Sequence, residues 1–483
     1  MTQTASAPRS ASLDSSSPPA SPLPAAPPAL TGAGLFTILL IASLSSMDAF
    51  IVNVALPTIG ADLTAGPAAL ELVVAGYATA YASLLVLGGR LGDGFGRRRM
   101  MVLGLIGFGV TSLLCGLAPT GGALVAARVL QGATAALCLP QAMATIQATT
   151  SGAGRARAMG MFGAVVGLAF AVGQILGGLM VGADIAGTGW RSVFFINVPV
   201  VAIAVVMLFR TVPESHAPKS APLDPFGAAL LGAAMILLLV PLTEGRAAGW
   251  PAWSWICLAA FPLTAALFLF TQARRERAGL VPLLPPSLLA LPGMRRGLPV
   301  MMLSMAGFGG FLFASAVAIQ QGLEYGPVAA GFALVPYAVA FFAGSMLGPR
   351  LAPMLRGRSV TVGVVVQAVG LIALVWTVTA AWSDTAAIAM APALVVVGFG
   401  QGLQLPLLFR VVLAEIPPER AGVGSGVMAT FQQISLASGV AVLGAVFLHL
   451  VPEVGVQEAY AWTIAVQAVS ALVNLGLSVR VRA

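Results

Sequence analysis

Charged residues are scarce in this chain of 483 residues. They make up 8% of the chain, whereas apolar residues make up 58%. A soluble globular protein carries about 25% charged residues, so this chain has too few of them to cover a surface that faces water. Long apolar stretches take their place, and about 20 such residues in a helix cross the core of a bilayer. The composition therefore predicts a membrane protein.

Residues that bind metals or form covalent intermediates are also few. Cys115, Cys138 and Cys257 lie within apolar stretches without a CxxC spacing, so we interpret them as small core residues. His216 and His449 are far apart and have no metal-ligand pattern around them. Because no catalytic triad, metal cluster or nucleotide-binding loop is recognisable, we expect neither an enzyme nor a bound cofactor or metal.

The net charge of +8 is explained by membrane topology rather than by nucleic acid. The basic residues are scattered, have no aromatic residues interleaved, and form no run longer than the three arginines at 97–99. If the N-terminus is cytoplasmic, nearly all of them fall in inner loops, and the outer loops keep only Arg191 and Arg246. This positive-inside pattern predicts an even number of spans in the cell inner membrane, with both termini cytoplasmic.

Fourteen apolar segments are predicted to cross the membrane, as helices, because lipid cannot satisfy open backbone groups. Residues 1–33, rich in Pro, Ser and Ala, are predicted to be a disordered cytoplasmic tail. The predicted spans lie near residues 35–59, 69–92, 100–118, 121–147, 157–182, 192–211, 225–243, 253–272, 297–321, 328–350, 358–381, 386–411, 423–450 and 457–479.

A weak internal repeat indicates two parallel halves. The Gln-Gly pair at 131–132 recurs at 401–402, and a proline follows each, at Pro140 and Pro406. Parallel halves around a midplane site are typical of one large class of secondary transporters. We therefore predict six-helix bundles at 34–211 and 297–479, with two inserted helices at 225–272 between them.

Asp48 is the most informative residue, because it lies inside the first predicted span. A carboxylate near the bilayer centre costs about 2.5–3.5 kcal/mol, and loss of water favours its protonated form, which makes Asp48 a candidate proton carrier. Arg128 lies at a comparable depth, about 10 Å against about 16 Å for Asp48 at the helical rise, so we expect the two to pair. The alternative is a static ion pair that only holds two helices together.

The segment at 89–99 ends the second span on the predicted cytoplasmic side. It lacks the Gly-Lys-Ser/Thr ending of a phosphate loop. A plain loop that fixes topology is one interpretation, and an acid within a Gly/Arg frame favours a cytoplasmic gate. The candidate gate residues are Gly89, Arg90, Asp93, Gly96, Arg97 and Arg98.

Two further sets of candidates lie within the spans. Small residues in the fifth span permit close helix packing, and we expect this of Gly167, Gly173, Gly177 and Gly178. Polar residues at membrane depth are candidates for lining a substrate cavity, and these are Asn53, Tyr77, Gln131, Gln174, Gln401, Gln404 and Gln432.

These segments resemble the major facilitator superfamily, and specifically its fourteen-helix drug–proton antiporter branch. The resemblance rests on the segments at 47–57, 89–99, 127–140, 173–178 and 190–199. It implies an all-α fold with two six-helix bundles and two inserted helices, and it implicates Arg128 in proton coupling. The chain departs from the family at Gln174, where proline is usual, and at Leu72, where tryptophan is common.

The resulting functional prediction is a proton-coupled secondary transporter. It would export small, largely apolar compounds such as drugs, antibiotics or metabolites by alternating access, as a monomer driven by the proton gradient. Its partners would be the substrate, protons and the lipid bilayer. Two alternatives stay open: a proton symporter that imports a small nutrient, and a membrane sensor that transports nothing.

Overall fold

A computed structural model describes residues 30–215, 224–245, 249–355, 357–383, 386–417 and 420–481. In this part of the chain every regular element is a helix. Most of the predicted tail at 1–33 lies outside the described residues.

Helices occupy all the predicted spans. In chain order they are α1 Gly32–Asp62, α2 Pro67–Phe95, α3 Arg97–Gly116, α4 Gly121–Ala135, α5 Leu139–Thr149, α6 Gly152–Ala183, α7 Ser192–Phe195, α8 Asn197–Thr211, α9 Pro225–Glu244, α10 Ala252–Arg277, α11 Pro286–Leu289, α12 Pro292–Gly322, α13 Pro327–Ala333, α14 Val335–Leu351, α15 Ser359–Ala380, α16 Ala386–Leu413 and α17 Ala421–Ser478. Short 3-10 turns at Ile185–Gly187 and Gly189–Arg191 precede α7.

Local sequence sets where these helices begin and break. Thr31 and Asp224 cap α1 and α9 by accepting a backbone N–H, and proline opens α2, α9 and α12, where its missing N–H costs nothing. The 58-residue α17 is interrupted at Gly455, whose φ of 81° is open to glycine. Among the described residues, eleven helices are long and apolar enough to cross a membrane, which makes this a multi-pass membrane protein.

The same packing scheme occurs twice. Helix α1 packs on α6, α2 on α4, and α3 on both α4 and α8. In the second half, α12 packs on α17, α14 on α16, and α15 on both α16 and α17. The repeat suggested by the sequence is therefore a repeat of helix packing.

The register of this repeat differs from the sequence match by one helical turn. A β-carbon on Gly132 would lie 2.3 Å from the Tyr77 carbonyl oxygen, and one on Gly398 would lie 2.3 Å from that of Tyr337. A proline follows each of these glycines by eight residues. Gly398, rather than Gly402, is thus the counterpart of Gly132.

The two halves meet tightly at one end, which we call the Arg-rich end because the three arginines at 97–99 begin α3 there. A β-carbon on Gly89 of α2 would lie 2.2 Å from the carbonyl oxygen of Gly422 in α17. Nearby, Gln147 donates to the carbonyl of Leu413 at 2.8 Å. The structure is therefore closed at the Arg-rich end.

Candidate functional site

Asp48 and Arg128 form an ion pair in the interior of the first half. Asp48 lies on α1 and Arg128 on α4, and Arg128 Nη1 is 2.6 Å from Asp48 Oδ2. Both side chains have no exposed surface. Because two charges removed from water are stable only when each compensates the other, the two helices are held together by a contact that depends on the ionisation of Asp48.

Two amides complete the coordination of the carboxylate. Asn197, the first residue of α8, donates from Nδ2 to Asp48 Oδ1 at 2.7 Å, and Gln131 donates from Nε2 to the same oxygen at 3.2 Å. Ser112 of α3 accepts from both amides, at 3.3 and 2.8 Å. The carboxylate therefore accepts hydrogen bonds from Arg128, Gln131 and Asn197.

The guanidinium of Arg128 is fixed from several directions. Its Nε donates to the Val73 carbonyl at 3.0 Å, and its Nη1 also donates to Gln131 Oε1 at 2.6 Å. The ring of Tyr77 lies 4.2 Å from the guanidinium carbon, a cation–π distance. Within the described residues Nη2 has no hydrogen-bond partner. Tyr77, a predicted cavity residue, is thus buried beneath the arginine, and its hydroxyl donates to the Ser45 carbonyl.

Asn197 and Ser112 belong to this cluster but were not among the predicted site residues. Asn197 lies in the 190–199 segment that carries part of the family resemblance. In the sequence, Asn197 could have been noticed as an amide inside a predicted apolar span, two residues before Pro199. Asn197 Oδ1 is buried and has no partner among the described residues.

The predicted gate residues lie at the Arg-rich end, and Asp93 links the two halves there. Its Oδ1 accepts from Arg97 Nη2 at 2.9 Å and from the backbone N–H of Gly422 at 3.1 Å, and its Oδ2 accepts from the N–H of Val423 at 3.1 Å. These two N–H groups open α17. The carboxylate on α2 therefore caps a helix of the other half, where the helix dipole favours a negative charge.

The other candidate gate residues bind neighbouring segments. Arg90 donates to the carbonyls of Pro282 and Leu283, in the connection after α10. The backbone N–H of Arg98 donates to Glu214, which caps the start of α3. Gly96 has a φ of 107°, and a β-carbon there would lie 2.9 Å from Glu214. The segment at 89–99 thus contacts the connections that follow α8 and α10, as well as the start of α17.

The glycines of α6 allow close approach on two sides. A β-carbon on Gly173 or Gly177 would lie 2.7 Å from a carbonyl oxygen of α1. One on Gly167 would lie 2.0 Å from the ring of Phe341 in α14, and one on Gly178 2.5 Å from Val328 in α13. Helix α6 is therefore wedged between the two halves.

The remaining cavity candidates do not converge on one open site. Gln401 and Gln404 are buried. The hydroxyl of Tyr337 donates to Gln401 Oε1 at 2.6 Å, and that of Ser304 donates to Gln404 Oε1 at 3.0 Å. Asn53 is exposed and Gln432 is half-buried. The side chain of Gln174 lies outside the part of the chain that the structure describes. Gln401 and Gln404 thus form a neutral network inside the second half.

A metal centre finds no support in the described ranges, where no three His, Cys, Asp or Glu side chains gather to hold an ion. The fold and the buried ion pair instead define a class: a helical, multi-pass membrane transporter built from two halves that pack alike. The sequence profile of the Major Facilitator Superfamily matches residues 38–440. The chain belongs to this superfamily. It is a transporter of small molecules and not an enzyme.

Several named relatives are similar over most of the chain. The probable actinorhodin transporter of Streptomyces coelicolor is 36% identical, and the match covers 92% of this chain and 78% of the relative. The puromycin resistance protein pur8 of Streptomyces alboniger is 32% identical over 86% and 81% of the two chains. The tetracenomycin C resistance and export protein of Streptomyces glaucescens is 32% identical over 85% and 74%.

A solved structure supports the fold. The human organic anion transporter MFSD10 (TETRAN) superimposes with a TM-score of 0.65 at 17% identity, and the match covers 92% of this chain and 99% of the other. At this identity the likeness concerns the fold alone.

Proposed function

We propose that this protein exports antibiotics and similar small, largely apolar compounds, driven by the proton gradient. Three relatives whose names refer to actinorhodin, puromycin and tetracenomycin C support the substrate class. The observation that carries proton coupling is the fully buried ion pair between Asp48 and Arg128. This pair contains a titratable carboxylate between two helices, in a chain with few other charges.

The energetics of the pair explain how one proton changes the conformation. Protonation of Asp48 removes its charge and leaves the Arg128 guanidinium buried without a counter-ion. Breaking a buried pair in this way costs about 3–5 kcal/mol. A unit charge that crosses the membrane gains about 2.3 kcal/mol per 100 mV. The two energies are of the same order, so a proton entering at Asp48 can shift the equilibrium between access states.

The transport cycle alternates access around the interface of the halves. In the state closed at the Arg-rich end, Asp93 caps α17 and Gly89 contacts Gly422. A proton that reaches Asp48 from outside weakens the ion pair and favours the state open at the Arg-rich end. There the proton leaves to the cytoplasm and substrate binds. Substrate shifts the equilibrium only through its different affinity for the two states.

The proposed topology has fourteen spans. At 1.5 Å per residue, α17 would be about 87 Å long if straight, which fits two crossings that meet near Gly455. The 32 residues of α6 and the pair α13–α14 provide two further crossings. We propose six-helix bundles at 34–211 and 297–479, inserted helices at 225–272, both termini in the cytoplasm, and a monomer in the inner membrane. The proton gradient is the sole energy source, and no cofactor is needed.

The decisive experiment compares Asp48→Asn with Asp62→Asn. Asp62 also pairs with an arginine, Arg191, at 3.0 Å, but about half of its side chain is exposed. In inverted vesicles with an imposed proton gradient, Asp48→Asn is expected to abolish uptake of labelled puromycin, whereas Asp62→Asn retains it. Membrane insertion of both variants is checked by protease protection. Undiminished transport by correctly inserted Asp48→Asn would refute proton coupling at this site.

The same vesicles separate the alternatives by direction. An exporter accumulates drug inside inverted vesicles when their interior is acidified, because the cytoplasmic face points outward. A proton symporter that imports a nutrient moves its substrate out of these vesicles along with protons. A sensor moves no solute in either orientation, and it would tolerate loss of the Asp48 charge.

A further inference from the structure

A groove lies between the first half and the inserted helix α9. Its walls are α2 on one side and α9 on the other, and its volume is about 710 Å³. Small residues of α9 create the space, namely Ala228, Ala229, Gly232 and Ala233. A β-carbon on Gly232 would meet nothing within 4 Å. Binding sites for small molecules commonly have volumes of about 300–1,000 Å³, so the groove has room for a ligand.

The rim of the groove consists of apolar side chains that remain exposed. Leu72, Val129 and Ile236 are 39%, 40% and 51% exposed. They lie on helices long and apolar enough to span the membrane. Exposed apolar side chains at these depths face lipid, so a molecule would reach the groove from the lipid phase.

The lining is apolar apart from three side chains, and one of them lacks a partner. Ser83 donates from its hydroxyl to the Thr79 carbonyl at 2.7 Å, and Glu244 is the last residue of α9. Thr79 is 8% exposed, and its hydroxyl has no hydrogen-bond partner in the described part of the chain. A buried hydroxyl without a partner costs about 1–3 kcal/mol. A ligand with a hydrogen-bond acceptor would recover that free energy.

The adjacent face of α2 supports the ion pair. Val73 accepts from Arg128 Nε, and the Tyr77 ring lies against the guanidinium. Gly76 lines the groove, and a β-carbon there would be 3.0 Å from Val129, the residue after Arg128. One wall of the groove therefore also holds the charged cluster in place.

We propose that this groove binds neutral, largely apolar molecules that carry a hydrogen-bond acceptor and enter from the membrane. This inference rests on the proposed export function, because it assigns the lipid-side site at which such substrates are first held. The apolar walls bind the body of the molecule, and the Thr79 hydroxyl donates to its acceptor. A molecule bound in the groove affects the position of Arg128 through α2.

Benzophenone is a suitable probe, because it has an apolar body, a carbonyl acceptor and photochemistry that inserts into C–H bonds. The full chain is placed in phospholipid nanodiscs, irradiated with increasing benzophenone, and the adducts are mapped by peptide mass spectrometry. We expect saturable adducts on residues 72–84 and 228–244. Labelling that rises linearly and spreads over all lipid-facing helices would overturn the proposal.

Two matched pairs of variants test the site itself. Gly232→Trp fills the groove, whereas Gly476→Trp adds the same side chain at an exposed glycine whose β-carbon would also meet nothing within 4 Å. We expect saturable labelling to fall at least tenfold in the first and to stay within twofold in the second. Thr79→Val should raise the benzophenone concentration at half-saturation about tenfold, which corresponds to the loss of one hydrogen bond. Thr79→Ser should leave this concentration unchanged. Equal labelling in Gly232→Trp and Gly476→Trp would overturn the proposal.

A bound phospholipid is the competing occupant. Native mass spectrometry would then reveal a lipid retained by the wild-type chain and lost from Gly232→Trp, with no saturable benzophenone adduct in the groove, and this result also overturns the proposal. The labelling map requires no transport. Asp48→Asn should therefore keep the adducts even though its efflux is lost, which separates failure of the groove from failure of proton coupling.

Discussion

Asn197 Nδ2 lies 2.7 Å from Asp48 Oδ1, and neither side chain has exposed surface. The amide joins α8 to α1 through the one oxygen of Asp48 that Arg128 does not contact. The same amide carries an oxygen, Oδ1, without a partner in the described residues. A protonated Asp48 would be a donor rather than an acceptor. Rotation of the Asn197 amide by 180° would then present that oxygen to the new O–H.

Replacing Asn197 by alanine should therefore weaken efflux. Asn197→Ala removes a buried donor to the Asp48 carboxylate and leaves Gln131 as the only amide donor to Oδ1 among the described residues. We expect drug uptake to fall severalfold with normal membrane insertion, since a hydrogen bond to a charged group contributes about 1.5–3 kcal/mol. The measurement is initial drug uptake by inverted vesicles with an imposed proton gradient.

Asn474→Ala is the matched control for this loss. Asn474 is also a buried amide, but it donates to Ser304 in the second half. Its replacement should lower thermal stability while drug uptake is retained. If both alanine variants lower uptake equally, Asn197 has no special relation to Asp48.

Arg128→Lys should abolish most transport although it conserves the charge. An ammonium is a compact point charge and cannot reproduce the planar fork of a guanidinium. The contacts to Asp48, Gln131 and Val73 require three different directions from one side chain. We expect uptake to fall at least tenfold with normal insertion. Arg157→Lys, at an exposed arginine, should retain it, and equal activity of both variants would contradict the geometric argument.

Gly89→Ala should oppose closure at the Arg-rich end. The new β-carbon would be 2.2 Å from the Gly422 carbonyl oxygen, and overpacking of this kind costs about 1–3 kcal/mol. Spin labels at the exposed residues Arg99, near the start of α3, and Arg296, near the start of α12, should therefore report a larger population of long distances. Gly154→Ala, where nothing lies within 4 Å, should leave the distribution as in the wild type. An unchanged distribution in Gly89→Ala would mean that this contact does not set the closed state.

Asp93→Asn should open the same end by a different route. The side chain keeps its shape but loses the charge that faces Arg97 and the start of α17, and charge-assisted hydrogen bonds contribute about 1.5–3 kcal/mol each. We expect the label distances to lengthen and drug uptake to fall severalfold. Asp184→Asn, at an exposed position directly after α6, should change neither quantity. Wild-type distances in Asp93→Asn would assign the closure to glycine packing alone.

The positions of the helices could be predicted from the sequence because apolar length alone decides where a chain crosses lipid. The segment predicted at 225–243 is Pro225–Glu244, and that at 358–381 is Ser359–Ala380. The division of the fourth span into α4 and α5 was not predicted. Pro140 removes a backbone donor there, but a proline within an apolar run does not reveal whether a helix bends or breaks.

The candidate site could be predicted in part. Asp48 and Arg128 stand out because each is charged inside an apolar span, and their depths agree. Asn197 could not be singled out, because neutral amides also occur at helix interfaces that carry no charge. Gln401 illustrates this difficulty: it was a cavity candidate, yet it is buried against Tyr337. Whether a polar side chain faces a cavity or a neighbouring helix depends on helix rotation, which composition does not encode.

The buried polar network of the second half is neutral, whereas that of the first half contains an ion pair. In the packing register, the counterpart of Arg128 is Leu394, a buried aliphatic residue. Glutamine, serine and asparagine do not titrate, and a tyrosine hydroxyl stays protonated at physiological pH. The buried polar network of α12–α17 therefore keeps the same charge throughout the physiological pH range. In the proposed cycle, substitutions inside this half can therefore suit a new compound while the Asp48–Arg128 pair stays intact, provided that α6 keeps the glycines that pack it against both halves.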